Sequence, residues 1–289
     1  PMNKEEAEKI YLQLAEERDD EWSMIKLAYI EMDRGNSEER LKWIQKALEK
    51  EYIDAYFELG FFYQFDEAYK DLEKAQQSYY QAAQLGNPEG MNGLALIYYD
   101  MPDYKGDEQA FRWFSKSADL GDSLGLYYLA VMYENGFGTY SNKQKAWDLY
   151  LASADQKFSP AYRKIAQLIE EGEAPASFTG RELEYYIKAA ERNDIDAIHD
   201  VIRFLENDPD RKKELFSWCQ RGAQLNDGKC ICKLGKLYFY GMGTEMDEFK
   251  AMNCFRKAET MEIPEAYYFL GLAYYEAKGV VSPNIQKAE

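Results

Sequence analysis

Residues 110–138 read AFRWFSKSADLGDSLGLYYLAVMYENGFG, and this stretch decides the fold. Ala110, Trp113, Phe114, Ser117 and Ala118 recur at helical spacing, so one helix face is apolar and narrows to small residues toward its end. The pattern predicts that this helix ends near Gly121 and that a second one runs through Tyr133. Leu126, Leu129, Ala130 and Tyr133 line the face of that second helix, and a glycine loop follows at Gly136 and Gly138. Two short amphipathic helices with such narrow seams cannot bury their faces alone. They need similar pairs on either side.

The chain supplies them. The position of Ala110 is held by Ala7, Arg40, Ala75, Ala146, Glu182, Leu215, Ala251 and Ala288, at successive gaps of 33, 35, 35, 36, 36, 33, 36 and 37 residues. Seven residues on stands a small or apolar pair, as in Ala82-Ala83, Ser117-Ala118 and Ala189-Ala190. The second helix carries its own marker at the same period: Leu27-Ala28, Leu59-Gly60, Leu94-Ala95, Leu129-Ala130, Ile165-Ala166, Val201-Ile202, Leu234-Gly235 and Leu270-Gly271. Two independent markers with one period mean a solenoid of stacked units. Capping residues precede the first helices at Asn36, Asp71, Asn142, Asp247 and Asn284, and cap-proline signals precede second helices at Asn87-Pro88 and Ser159-Pro160.

These residues resemble the Sel1-like repeat family, kin of the tetratricopeptide repeats. The most specific lines are AYYFLGLAYYEAKGV from Ala266 and LYYLAVMYENGFGTYSNKQKAWDLYLASA from Leu126, with Leu-Gly/Ala, Tyr, Gly-x-Gly and Lys-Ala in the family's order. The resemblance implies an all-α, right-handed α-solenoid of about eight helix-turn-helix repeats that makes protein contacts and carries no catalysis. A single continuous array over 3–289 is expected, with repeats near 3–34, 36–66, 71–101, 106–138, 142–172, 179–208, 210–243 and 247–279 and the start of a further helix at 284–289. The least regular part is expected between Glu171 and Lys213, where a long loop, the turn Asn207-Asp208-Pro209-Asp210 and Ile202 at a seam position coincide.

Composition narrows the partner. Against 35 Lys and Arg stand 52 Asp and Glu, a net charge of −17. That balance disfavours nucleic acid, whose binders neutralise phosphates with cations, and is read either as favouring a basic protein or peptide as partner or as serving solubility alone. No apolar run reaches the roughly 20 residues of a membrane-spanning helix. The opening residues hold no signal-peptide segment, which points to the cytoplasm and to an adaptor or an immunity protein against a toxic effector. Pro1 ahead of Met2 reads as a remnant of tag removal. If an export signal was cut away, the alternative is a virulence or polysaccharide-secretion factor. The end at Glu289, just inside a first helix, predicts that the native chain continues.

Candidate chemistry is sparse. The four cysteines, Cys219, Cys230, Cys232 and Cys254, read as buried free thiols, although Cys219 and Cys230 lie on facing sides of one hairpin and can approach. Cys230-x-Cys232 has the wrong spacing for a zinc knuckle. The lone His199 falls by phase on the exposed side of its helix, so no metal or cofactor is expected. Gly136-x-Gly138 and Gly241-x-Gly243 lack a preceding strand and a third glycine, so they read as turns rather than phosphate cradles. The stronger signal is apolar residues opposite the core face of the second helices. Ile25, Tyr29, Phe57, Phe61, Leu96, Tyr99, Tyr127 and Val131 form a strip in the first four repeats, which the family resemblance places on the concave side. The strip is expected to bind the partner, the other reading being that it packs against the neighbouring second helices.

Overall fold

The computed structural model describes residues 4–101 and 104–275. Among the described residues all regular structure is helical. Sixteen α-helices alternate along the chain as first and second helices of the repeats: α1 (Lys4–Glu17) and α2 (Glu21–Arg34), α3 (Ser37–Glu49) and α4 (Ile53–Phe65), α5 (Leu72–Gln84) and α6 (Pro88–Tyr99), and α7 (Tyr104–Asp119) and α8 (Ser123–Asn135). The remainder are α9 (Lys143–Asp155) and α10 (Ser159–Glu170), α11 (Glu182–Ala190) and α12 (Ile195–Glu206), α13 (Lys212–Gln224) and α14 (Gly228–Tyr240), and α15 (Glu248–Glu259) and α16 (Pro264–Tyr275). This is the all-α repeat fold of the solenoid class. The chain divides into two compact units, Pro1–Gln156 and Lys157–Glu289, so α1–α9 belong to the first and α10–α16 to the second. Asn284, Ala288 and the further helix expected at 284–289 lie outside the described residues.

Local chemistry explains the helix boundaries. Asp20, Asp71, Asn87, Asp122, Asn142, Asp194, Asp227 and Asp247 each accept a hydrogen bond from a backbone N–H in the first turn of the helix they cap. Asn36 makes no such bond; its amide donates to Glu31 Oε2 at 3.0 Å instead. Ser159 is likewise not a cap. Its helix begins one residue earlier than expected, and its hydroxyl donates to Asp194 Oδ2 at 2.9 Å. Gly136 and Gly241 end α8 and α14 in the left-handed region, at φ 76° and 65°. The second glycine of each loop lies against a backbone carbonyl of its partner helix, at Asp107 and Lys212, where a Cβ would collide. The Gly-x-Gly loops are therefore turns built for close approach. Between 171 and 213 the pattern loosens as expected: α11 has only 9 residues, and short 3-10 turns stand at Ala176–Phe178 and Pro209–Arg211.

Packing follows one rule within each unit. The small pair on the first helix meets a small residue early in the second, as Ala82 meets Gly90 and Ser117 meets Gly125. Glycine in the Leu-Gly marker then receives a ring from the next pair: a Cβ on Gly60 would stand 2.5 Å from the Tyr79 ring, and one on Gly235 2.7 Å from Phe255. The same rings meet the end of the preceding second helix. Tyr79 donates to Gln64 at 2.8 Å, Tyr150 to Glu134 at 2.6 Å and Tyr186 to Glu170 at 3.0 Å. Where the ring lacks a hydroxyl, its counterpart is aromatic: Phe114 meets Tyr99 at 6.5 Å between centroids, and Phe255 meets Phe239 at 6.1 Å. Phenol faces amide or carboxylate, and phenyl faces aromatic ring, because a buried hydroxyl needs a partner.

Candidate functional site on the second helices

In the first unit α4 packs on both α5 and α6, and α6 touches α8, so consecutive second helices lie side by side and form a continuous face. Phe57, Phe61 and Phe65 recur at i, i+4 and i+8 along α4. Their ring centroids are 6.3 and 4.7 Å apart, a ladder that Tyr79 extends at its base, 5.8 Å from Phe57. Phe57 and Phe61 are half-buried, whereas Phe65 at the end of the ladder is 58% exposed. Farther along, Tyr99 makes edge contacts with Phe114, Tyr128 and Phe137. Tyr127 packs edge-on against Tyr128 and tilts onto Tyr150. Leu96 rests half-buried on the core of α5–α8, and Val131 is half-buried on α8.

One of the eight strip residues leaves the strip. Ile25 is only 6% exposed and sits in the core with Met24, Leu27 and Ala47, because α2 turns that side toward α3. Tyr29 is half-buried and its hydroxyl donates to the Glu58 carboxylate on α4.

Beneath the ladder lies a polar cluster that periodicity alone did not reveal. Arg40 and Glu58 are each 4% exposed. The Arg40 guanidinium lies over the rings of Phe61 and Phe62, 5.6 and 5.3 Å from their centroids, and its Nε and Nη2 have no hydrogen-bond partner among the described residues. Burial pushes the Glu58 carboxyl above the usual carboxylate range, against the hydrogen bond from Tyr29 and the charge of Arg40. Burial, and then Glu58, raise the Tyr29 phenol; burial lowers the Arg40 guanidinium. The signal was present in the register, since Arg40 occupies a position that Ala holds in most other pairs.

The second unit holds a different arrangement. His199 is not on an exposed face. It is half-buried, and its Nε2 lies 2.9 Å from Asp227 Oδ1, because this side of α12 meets the capped start of α14. A cavity of about 420 Å³ opens beside it between α12, α14 and α16, bordered by Ile202, Arg203, Cys230, Lys233 and Ile263. Arg203 is held by two bonds to Glu170, at 2.8 and 2.9 Å, and Lys233 pairs with Glu206. All four cysteines are free thiols, with Cys219, Cys230 and Cys232 buried. Burial pushes the Cys219 thiol up to about 12 and that of Cys232 up to about 11. Among the described residues no helix is long and apolar enough to cross a membrane.

The chain is similar to known repeat proteins along most of its length. An uncharacterized Sel1-like repeat-containing protein of Schizosaccharomyces pombe is 26% identical over 237 residues, covering 75% of this chain and 35% of the relative. An uncharacterized protein of Neisseria meningitidis is 26% identical over 262 residues, covering 89% of this chain and 54% of its own. The chain thus spans only about a third and about half of these two proteins. Among solved structures, a Sel1 repeat protein from Oxalobacter formigenes superposes with a TM-score of 0.67 at 21% identity, covering 93% of this chain and 80% of that one. The Sel1 repeat model matches residues 53–87, 88–122, 123–158, 183–194, 228–261 and 264–289, more than half of the sequence. With the helix pairs, the Leu-Gly seams and the glycine loops in the expected places, the chain belongs to the Sel1 repeat family.

Proposed function

We propose that this chain is a non-catalytic scaffold that binds another protein through the second-helix face of its first unit. The observation that carries the reading is the Phe57–Phe61–Phe65 ladder, which ends in a largely exposed ring on a face formed by adjoining rigid helices. Exposed aromatic side chains on a rigid support are the usual anchors of an interface. Tyr29, Leu96, Tyr99, Tyr127 and Val131 extend that face as half-buried contact area. The net charge of −17 supports a basic partner, attracted at long range. Four unbridged thiols support a reducing compartment, and therefore a cytoplasmic adaptor or an inhibitor of the immunity type.

Affinity capture from the source cell with the wild-type chain and with Phe65→Ser tests this reading. A protein retained by the wild type and lost by an equally stable Phe65→Ser chain supports it. Equal retention by both removes the ladder as anchor.

A further inference from the structure

The start of α14 reproduces, with different chemistry, a construction already present at the start of α8. There, Asp122 Oδ1 accepts from Asn92 Nδ2 of the preceding second helix at 2.7 Å, from Gly125 N at 2.7 Å and from Ser117 Oγ at 3.2 Å. At α14 the cap is Asp227, whose Oδ1 lies 2.9 Å from His199 Nε2 and 2.7 Å from Cys230 N, while the Cys230 Sγ lies within 4.8 Å of its carboxylate. Histidine thus stands in the place of Asn92, and a thiol stands beside the carboxylate that the Ser117 hydroxyl bonds in the other pair. Both replacements exchange a group that only hydrogen-bonds for one that ligates transition metals.

Room for the thiol comes from the facing helix. Gly222 lies against Cys230 so closely that a Cβ there would collide with Sγ. In the other pairs this first-helix position carries alanine, serine or, in the first pair, Leu14, so its single glycine coincides with the single cysteine opposite. The cysteine is 1% exposed and the seam is fitted around it.

We propose that His199, Asp227 and Cys230 form a site for a divalent transition metal of the zinc type. Nε2, a carboxylate oxygen and Sγ all lie within 4.8 Å of one another. Tetrahedral zinc, with bonds of about 2.0–2.3 Å, sets such atoms roughly 3.3–3.8 Å apart, so modest side-chain rotation closes the site. His199 and Cys230 border the cavity between α12, α14 and α16, which leaves space for water in a fourth position. On binding, Cys230 gives up its thiol proton to solvent, the imidazole carries its proton on Nδ1, and Nε2 donates its lone pair to the metal. The metal then joins α12 to α14, two second helices of successive pairs.

Cobalt(II) titration of the reduced full chain tests the site, with zinc added afterwards as competitor. The wild type should take up one equivalent of cobalt with a thiolate-to-cobalt charge-transfer band, and zinc should erase that band. His199→Asn and Cys230→Ser return the cluster to the Asn and Ser chemistry of Asp122, so both should keep the wild-type circular dichroism. Each should lose the band and bind cobalt at least about tenfold more weakly. Cys219→Ser and Cys254→Ser should retain it. Absence of the band in the wild type, or its persistence in Cys230→Ser, overturns the proposal.

Discussion

The hydroxyl of Tyr29 donates its hydrogen bond to the buried carboxylate of Glu58, so that α2 and α4, the second helices of successive pairs, are joined by a polar contact. Glu58 in turn lies near the buried Arg40 guanidinium. A carboxylate removed from water depends on such donors.

Tyr29→Phe leaves Glu58 without its donor and should cost about 1–3 kcal/mol in urea unfolding at neutral pH. The sign of the pH dependence follows from the raised Glu58 value. A carboxyl that is harder to ionise in the folded state than in the unfolded chain opposes folding while charged, and this opposition fades as pH falls through its folded value. The difference between Tyr29→Phe and wild type should therefore shrink on acidification. A deficit that grows toward low pH would contradict a Glu58 carboxyl raised by burial.

Gly60→Ala sets two effects against each other. Helix propensity gains up to about 1 kcal/mol. The added Cβ, however, meets the Tyr79 ring, which is buried and also pressed by Gly93, where a Cβ would stand 2.7 Å away. Overpacking of about 1–3 kcal/mol should win and lower the melting temperature. Combining Gly60→Ala with Tyr79→Leu should give less than the sum of the two losses, which a double-mutant cycle measures.

Leu129→Ala and Phe65→Ser should separate core from face. Leu129 is buried among Trp113, Phe114 and Met132, and its truncation should cost about 2–5 kcal/mol. Phe65→Ser should change stability by less than about 1 kcal/mol, since surface substitutions rarely do more. Chemical unfolding of both variants checks this, and similar losses for the two would place Phe65 in the core.

Native Cys219 and Cys232 should resist alkylation at pH 8, because burial raises both thiols well above that pH. In denaturant all four cysteines should react. Fast labelling of Cys219 in the folded chain, read by mass spectrometry of peptides, would show that α13 opens readily.

Association with a basic partner should slow as salt rises, since charges acting at a distance are screened over about 8–10 Å at physiological ionic strength. Stopped-flow rates across a salt series measure this. A flat series would remove long-range charge from the recognition.

Fold and period were legible because they depend on residues that recur: the Leu-Gly marker and the small pairs repeat every 32–36 positions, and Asp or Asn precedes many of the helices. The faces were harder to read. Helical phase places Tyr99, Glu134 and Glu170 away from their own helix's core, yet each is the counterpart of a ring arriving from the next pair. Phase describes one helix, whereas burial here is decided by a neighbour about 16 residues later in the chain. Ile25 and His199 were misplaced for the same reason, the first packing with Ala47 and the second with Asp227. The Arg40–Glu58 cluster was visible only as a break in the register, and a break does not say what lies opposite.

The matching of rings to counterparts also constrains how such a chain can be edited. Removing α7 and α8 as one unit would bring Tyr150, now bonded to Glu134, against Tyr99, now packed on Phe114. The joint would set phenol on phenol and discard the carboxylate acceptor, although every helix kept its length and its small-residue seam. Neighbouring modules here are keyed to one another, so their order is as much inherited information as their number.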